Sequence, residues 1–178
     1  MVQVEFEMDL CSNAAVNSEI FIALGSNMGD REENLLRAVA AVGRLPDTRI
    51  TALSPFYDTE PVGGISQNNY LNAVMRLTSS LSPQQLLKEL LRIETAIFKR
   101  KRALTWGPRS IDLDILFYGS KVISNPPDLL LPHPRLHERR FVLAPLADIA
   151  PGFIHPVHGK SISALLADLP PGGNVTRI

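Results

Sequence analysis

Two carboxylates that share a strand face beside an arginine stand out in Trp106-Gly107-Pro108-Arg109-Ser110-Ile111-Asp112-Leu113-Asp114-Ile115-Leu116. The segment opens as a loop and ends as an apolar strand. Alternation on a strand sends Ile111, Leu113, Ile115 and Phe117 to one face and Asp112 and Asp114 to the other. Like charges that close repel unless a cation sits between them. All-oxygen donors at that spacing suit a hard divalent metal ion. The competing reading is a solvated strand edge with a surface ion pair to Arg109. The choice rests on what else the chain brings to that face.

About ten residues upstream lies Lys99-Arg100-Lys101-Arg102. Such a run often only closes a solvated helix end, where the macrodipole favours cations. Together with Arg109 it rings two acids with positive charge. Metal-holding acids ringed by cations are what a polyphosphate needs, because the cations absorb charge developing on phosphate oxygens. No GxxxxGK[ST] and no GxGxxG occurs, so any nucleotide binds without a glycine-rich cradle. Tyr70 shares a strand face with Asn72, and Phe141 follows two arginines. A flat heteroaromatic ligand would use such aromatics for stacking and Asn72 for its ring edge. His133 lies between two prolines. His137, His155 and His158 show no compact ligand spacing with a carboxylate, so no zinc site is read there.

The elements that must position these residues follow from periodicity. Val2 to Asp9 alternate as an amphipathic strand, and 1–18 reads as an extension, either an edge strand or a disordered arm, ahead of a domain at 19–178. Ile20–Leu24 is a buried strand, Asp30 with Glu33 opens a helix over 31–42, and Gly43 ends it. Arg49–Leu53 is a second strand, followed by a loop through 60–68 whose glycines suggest a flap. Tyr70–Thr78 is a third strand, with Leu71, Ala73, Met75 and Leu77 on its core face. Pro83 starts a helix that runs to about Phe98. Asp128–His133 is a further extended segment, and Ile162–Leu169 one more helix. The order βαββαβ predicts an α+β, ferredoxin-like core: an antiparallel sheet with helices packed on it, plus C-terminal additions.

Composition bounds the rest. The 178 residues carry 18 basic and 18 acidic side chains, for zero formal charge, so the molecule as a whole is not an electrostatic nucleic-acid binder. A single cysteine excludes an internal disulfide and points to a reducing, cytoplasmic setting. No run approaches the roughly 18 apolar residues of a membrane helix, and the acidic N-terminus does not read as a secretory signal.

The set Ala23-Leu24-Gly25-Ser26-Asn27, Ser54-Pro55-Phe56-Tyr57-x-Thr59-x-Pro61, Gln67-x-x-Tyr70-Leu71-Asn72-Ala73, Ile93-Glu94, Trp106-Gly107-Pro108-Arg109-x-x-Asp112-Leu113-Asp114-Ile115 and Pro132-His133-Pro134-Arg135 resembles the 6-hydroxymethyl-7,8-dihydropterin pyrophosphokinases of folate biosynthesis. The resemblance covers about 19–170. It implies pyrophosphate transfer from ATP to the pterin hydroxymethyl group with release of AMP. It assigns two Mg²⁺ ions to Asp112 and Asp114, and phosphate stabilisation to Arg109. It places Tyr70 and Phe141 around the pterin, with Asn72, Thr59 and Val62 at its polar edge. Glu94, Lys101, Arg102, Trp106, Ile115, His133 and Arg139 fall at ATP-contacting positions, and the 60–69 and 99–108 loops act as lids. Two departures stand out. The catalytic cation is Lys99 without a gap or Arg100 with a one-residue shift, and Leu91 replaces a glutamine. A monomer acting on small molecules, without nucleic acid or membrane, is expected. The alternatives are a ferredoxin-like nucleic-acid-binding module, which lacks the aromatic strand pattern such modules use, and an inactive homologue, against which the acids and Arg109 argue.

Overall fold

Strand β1 (Ile20–Ser26) is the axis of the molecule, buried along its length and paired on both sides. The structure is a computed structural model that describes residues 18–61, 67–98, 108–125, 129–172 and 174–178. The remaining elements are α1 (Arg31–Val42), β2 (Thr48–Leu53), β3 (Tyr57–Thr59), β4 (Tyr70–Ser79), α2 (Pro83–Ala96), β5 (Asp112–Tyr118), β6 (Ile123–Asn125), β7 (Leu129–Leu131), α3 (Arg140–Ile149), α4 (Ile162–Asp168) and β8 (Val175–Arg177). A 3-10 turn, Leu136–Glu138, precedes α3. The main sheet runs β5-β1-β4-β3-β8, with β2 also on β4, and its pairs are antiparallel. This is the ferredoxin-like order, with its second strand split in two.

The split has a local cause. Pro55 has no N–H to give a ladder, so pairing stops at Leu53 and resumes at Tyr57. Ser54 bridges the gap: its N–H donates to the Val74 carbonyl at 2.9 Å, and its Oγ accepts the Val74 N–H at 3.0 Å. Strands β3, β6 and β8 are additions to the sequence reading. Each has three residues, and β3 and β8 pair with each other.

Helices cover both faces. Leu35, Ala38 and Val42 of α1 and Leu86, Leu90 and Ile93 of α2 pack on Ile20, Ile22, Leu24, Met75 and Leu77. Val142, Leu143 and Leu146 of α3 with Ile162 and Leu165 of α4 cover Phe21, Val74, Leu116 and Phe117 on the other face. Asp30 caps α1 by accepting the Glu33 N–H at 3.0 Å. Ser82 and Gln85 form a reciprocal capping box ahead of α2, with Pro83 in its first turn.

One register detail corrects the alternation read from sequence. Ile22 pairs with Ile115 but Phe21 pairs with Phe117, so a bulge absorbs Leu116. Phe117 therefore joins Leu116 under α3, and Tyr118 turns to the first core with Ile115. No described helix is long and apolar enough to cross a membrane. Of the predicted extension, 1–17 lies outside the described residues.

Candidate active site

The face under α3 and α4 is apolar over the Leu116 half of β5 and polar over its Asp112 half. Asp112 pairs with Gly25, and Gly25 with Asn72, in one row across β5, β1 and β4. Residues in register across neighbouring strands share a face, so the Asp112 and Asn72 side chains rise from backbones about 10 Å apart. Only a glycine stands between them. A Cβ on Gly25 would lie 2.9 Å from Asn72 Oδ1 and 3.8 Å from the Tyr70 ring, so the row closes only because that side chain is missing. Asn72 is buried and donates from Nδ2 to Thr59 Oγ1 at 2.6 Å, and Thr59 is buried as well. A buried amide fixed by a neighbour's hydroxyl can read hydrogen bonds on a planar ligand.

On the other flank, Arg109 Nη1 donates to Asp112 Oδ2 at 2.6 Å, with both side chains about a quarter exposed or less (20% and 26%). Glu94 from α2 is buried and accepts the Leu113 N–H at 2.7 Å. It thus fixes the strand midway between the two aspartates. His133 continues from β7 and donates its backbone N–H to the Leu116 carbonyl at 3.0 Å. Burial first, then Arg139 and Arg135, push its imidazole down to about 4, so the ring is neutral near pH 7. Its Nδ1 accepts the Arg135 N–H at 3.3 Å, which leaves the ring proton on Nε2 as a donor. Arg139 is lowered chiefly by burial and next by Arg135, while Asp114 and Asp112 oppose the shift. Arg139 and the two aspartates therefore face one another electrically. Its guanidinium also lies 5.6 Å from the Phe141 ring centroid.

The expected residues thus divide. Asp112, Asp114, Arg109, His133, Arg139, Asn72, Thr59 and Tyr70 share this end of the sheet, with Phe141 on α3, which covers the same face. The Ile115 side chain points into the first core, so only its backbone is left for a nucleotide. Val62, Lys99, Arg100, Lys101, Arg102 and Trp106, with 62–66 of the first expected lid and 99–107 of the second, lie outside the described residues.

Sequence reasoning quotes Asn27 and Arg135 in motifs but gives neither a role at the site. Asn27 is buried and clamps two segments together. Its Oδ1 accepts the Arg109 N–H at 2.7 Å, and its Nδ2 donates to Gln67 Oε1 at 3.0 Å and more weakly to the Asn68 carbonyl at 3.4 Å. A second tie is Arg31 Nη1, which donates to Asp58 Oδ2 at 2.8 Å and to the Asn69 carbonyl at 2.9 Å. Burial pushes the Asp58 carboxyl up, but the bonds from Asn69 and Arg31 outweigh it and hold it low.

A family model described as 7,8-dihydro-6-hydroxymethylpterin-pyrophosphokinase (HPPK) matches residues 21–151. A 2-amino-4-hydroxy-6-hydroxymethyldihydropteridine pyrophosphokinase of Pseudomonas aeruginosa is 42% identical over 151 residues, which is 85% of this chain and 91% of that one. Its Bacillus subtilis counterpart is 44% identical over 134 residues, 75% of this chain and 79% of the relative. Among solved structures, one described as HPPK-DHPS in complex with substrates superposes with a TM-score of 0.65 at 15% identity. That match covers 85% of this chain and 43% of the longer one, so it speaks for the fold of a domain. The chain belongs to the 7,8-dihydro-6-hydroxymethylpterin-pyrophosphokinase family, ATP-dependent diphosphotransferases of folate synthesis.

Proposed function

We propose that pyrophosphate passes from ATP to the pterin hydroxymethyl oxygen over the row Asp112–Gly25–Asn72. That row is the observation that carries the reading: a phosphate-handling acid and a ring-edge reader share one face, with a side-chain-free strand between them. Reactants held over β5 and β4, on either side of β1, meet as if in a unimolecular step. Asn72 and Thr59 read the polar edge of the pterin, a role the resemblance also gives to Val62, and Tyr70 and Phe141 hold its faces.

Asp112 and Asp114 fit a divalent ion of the Mg²⁺ type by their donor set, two carboxylates on one face with buried or half-buried cations around them. Two such ions are our reading; Asp112 and Asp114 would hold them, and they would supply neutralisation of phosphate charge. Arg109 holds Asp112 in place and faces the phosphates, and Arg139 adds a second guanidinium. Neutral His133 donates from Nε2 to a phosphate oxygen without adding charge. Glu94, Lys101, Arg102, Trp106 and the Ile115 backbone complete the nucleotide contacts, and Lys99 or Arg100 supplies one more cation. The hydroxymethyl oxygen attacks the β-phosphorus and loses its proton to solvent, the bond to the α,β-bridging oxygen breaks, and AMP leaves with that oxygen. All these groups come from one chain, which fits a monomer.

The test is AMP release from ATP and 6-hydroxymethyl-7,8-dihydropterin. Asp112→Ala and Asp114→Ala should each lower turnover by about a thousandfold or more with far-UV dichroism unchanged, as losses of charge-stabilising groups do. Near-normal turnover in either variant overturns the metal assignment.

A further inference from the structure

Away from this row, the fold gathers three imidazoles that the sequence keeps apart. His137 stands on the 3-10 turn, while His155 and His158 lie on the loop closed by the Ile154–Ser161 bridge. One ligating atom from each lies within 4.8 Å of the other two. The His137 and His155 rings lie 4.3 and 4.4 Å from that of His158, centroid to centroid. His155 is buried against Phe117, and its Nε2 is shielded from water without any hydrogen-bond partner among the described residues. A buried polar atom left unsatisfied is costly, which calls for an explanation.

We propose that His137, His155 and His158 form a binding site for a borderline divalent transition-metal ion of the Zn²⁺ class. Imidazole nitrogen suits Zn²⁺, Ni²⁺ and Cu²⁺ and discriminates against Mg²⁺, which takes oxygen. The site is therefore chemically separate from the two aspartates. Three protein ligands leave a fourth position for water. His158 is exposed and gives the ion a way in, while buried His155 anchors the far side.

The loop is built to hold two ligands. His155 donates its N–H to the Lys160 carbonyl at 2.9 Å, and its carbonyl accepts the Gly159 N–H at 2.8 Å. Gly159 takes a left-handed φ of +65°, which a side chain would resist. The N–H groups of Val157 and His158 both donate to His155 Nδ1 at 3.2 Å, so without metal the ring proton sits on Nε2. Ligation through Nε2 uses the other tautomer. The proton moves by exchange with water to Nδ1, the Nε2 lone pair goes to the metal, and the two N–H groups on an exposed turn pass to solvent. Both bonds given up are at the long end of the range. Metal–nitrogen bonds of about 2.1 Å also require ligand atoms roughly 3.4 Å apart in a tetrahedron. Opening the 156–158 turn supplies that movement, because the turn carries His158. The bound ion would tie this loop to the 3-10 turn between Arg135 and Arg139, and so brace the cationic side of the active site.

The test uses the full chain, stripped with chelator and then held in excess Mg²⁺ so that the oxygen site is filled. Co²⁺ is titrated and read by its visible d–d bands, and Zn²⁺ by calorimetry. One equivalent should bind in the micromolar range with nitrogen-ligated Co²⁺ bands. His158→Ala, an exposed change that leaves the core intact, should weaken binding by about tenfold or more, as should His137→Ala. Asp114→Asn should leave the affinity unchanged. Affinity that survives both histidine changes, or Co²⁺ that stays octahedral at millimolar concentration, overturns the site and leaves a cluster of packed rings.

Discussion

Asn27 Oδ1 accepts the backbone N–H of Arg109 at 2.7 Å, while the Asn27 N–H donates to the Arg109 carbonyl at 3.1 Å. The turn ahead of helix α1 and the segment ahead of strand β5 are thus bonded in both directions. Through Nδ2 the same amide holds Gln67, just ahead of strand β4, which carries Asn72. One buried side chain therefore sets the Arg109 and Gln67 segments relative to each other.

Asn27→Ala removes an acceptor and a donor at once. Turnover should fall by about a hundredfold, the loss typical of a small misplacement of reacting groups. Stability should drop by about 1–3 kcal/mol for the buried N–H left behind. Asn27→Asp keeps the acceptor for Arg109 but loses the donor to Gln67, so it isolates the Gln67 link. Steady-state kinetics with each substrate varied separately measures both, and wild-type turnover in the alanine variant would mean that the two segments position themselves independently.

Gly25→Ala tests the gap in the row. Its Cβ would sit 2.9 Å from Asn72 Oδ1, so that amide must swing away and lose its 2.6 Å bond to Thr59. The KM for pterin should rise by about ten- to a hundredfold, the equivalent of one or two lost hydrogen bonds, with that for ATP changing far less. An equal rise for both substrates would place Asn72 somewhere other than at the pterin edge.

His155 makes stability depend on pH in a stated direction. Burial, followed by the neighbouring His158 and His137, pushes its imidazole down from the ordinary 6.5 to about 4 in the folded chain. Between those values the unfolded chain binds more protons, so stability falls as pH drops from about 6.5 to 4, by at most about 3 kcal/mol from this residue. His133 shifts the same way. Urea unfolding in chelator at several pH values, for the native chain and His155→Asn, separates the two, since the variant keeps an acceptor but does not titrate. Parallel pH profiles would show that His155 is not held neutral.

The legible parts of this chain are those decided within a few residues. Alternation alone puts Asp112 and Asp114 opposite Leu113 and Ile115, and the Ser82-Pro83 signal marks the start of α2. Alternation fails at Phe117 because a bulge is a matter of pairing with Phe21, and nothing in Ile115-Leu116-Phe117 announces it. Ser54-Pro55 reads as the end of a strand, which holds for the ladder, but the Ser54 hydroxyl that lets the strand resume needs Val74 opposite. The histidine cluster is invisible in the sequence for the same reason. Spacing separates His137 from His155, and only packing on Phe117 and the Leu136 turn reunites them.

Tyr57 links strand β3 to the helix that carries Phe141. Its hydroxyl donates to Asp148 Oδ2 on α3 at 2.7 Å, and Arg177 of β8 approaches the same carboxylate at 4.0 Å. Burial, then the Asp148 bond and charge, push the phenol up to about 12, and burial raises Tyr70 and Tyr118 as well. A raised folded value means that the contribution of Tyr57 is fully present below pH 10 and is lost as pH climbs through about 12. At pH 10 the urea-unfolded chain should show about half of the full tyrosinate signal of its three tyrosines, and the native protein less than that. Tyr57→Phe should cost about 1–2 kcal/mol and loosen α3 over the sheet. If α3 positions Phe141 against the pterin, the KM for pterin rises in that variant while the KM for ATP holds, and an unchanged pterin KM would separate the placement of Phe141 from this bond.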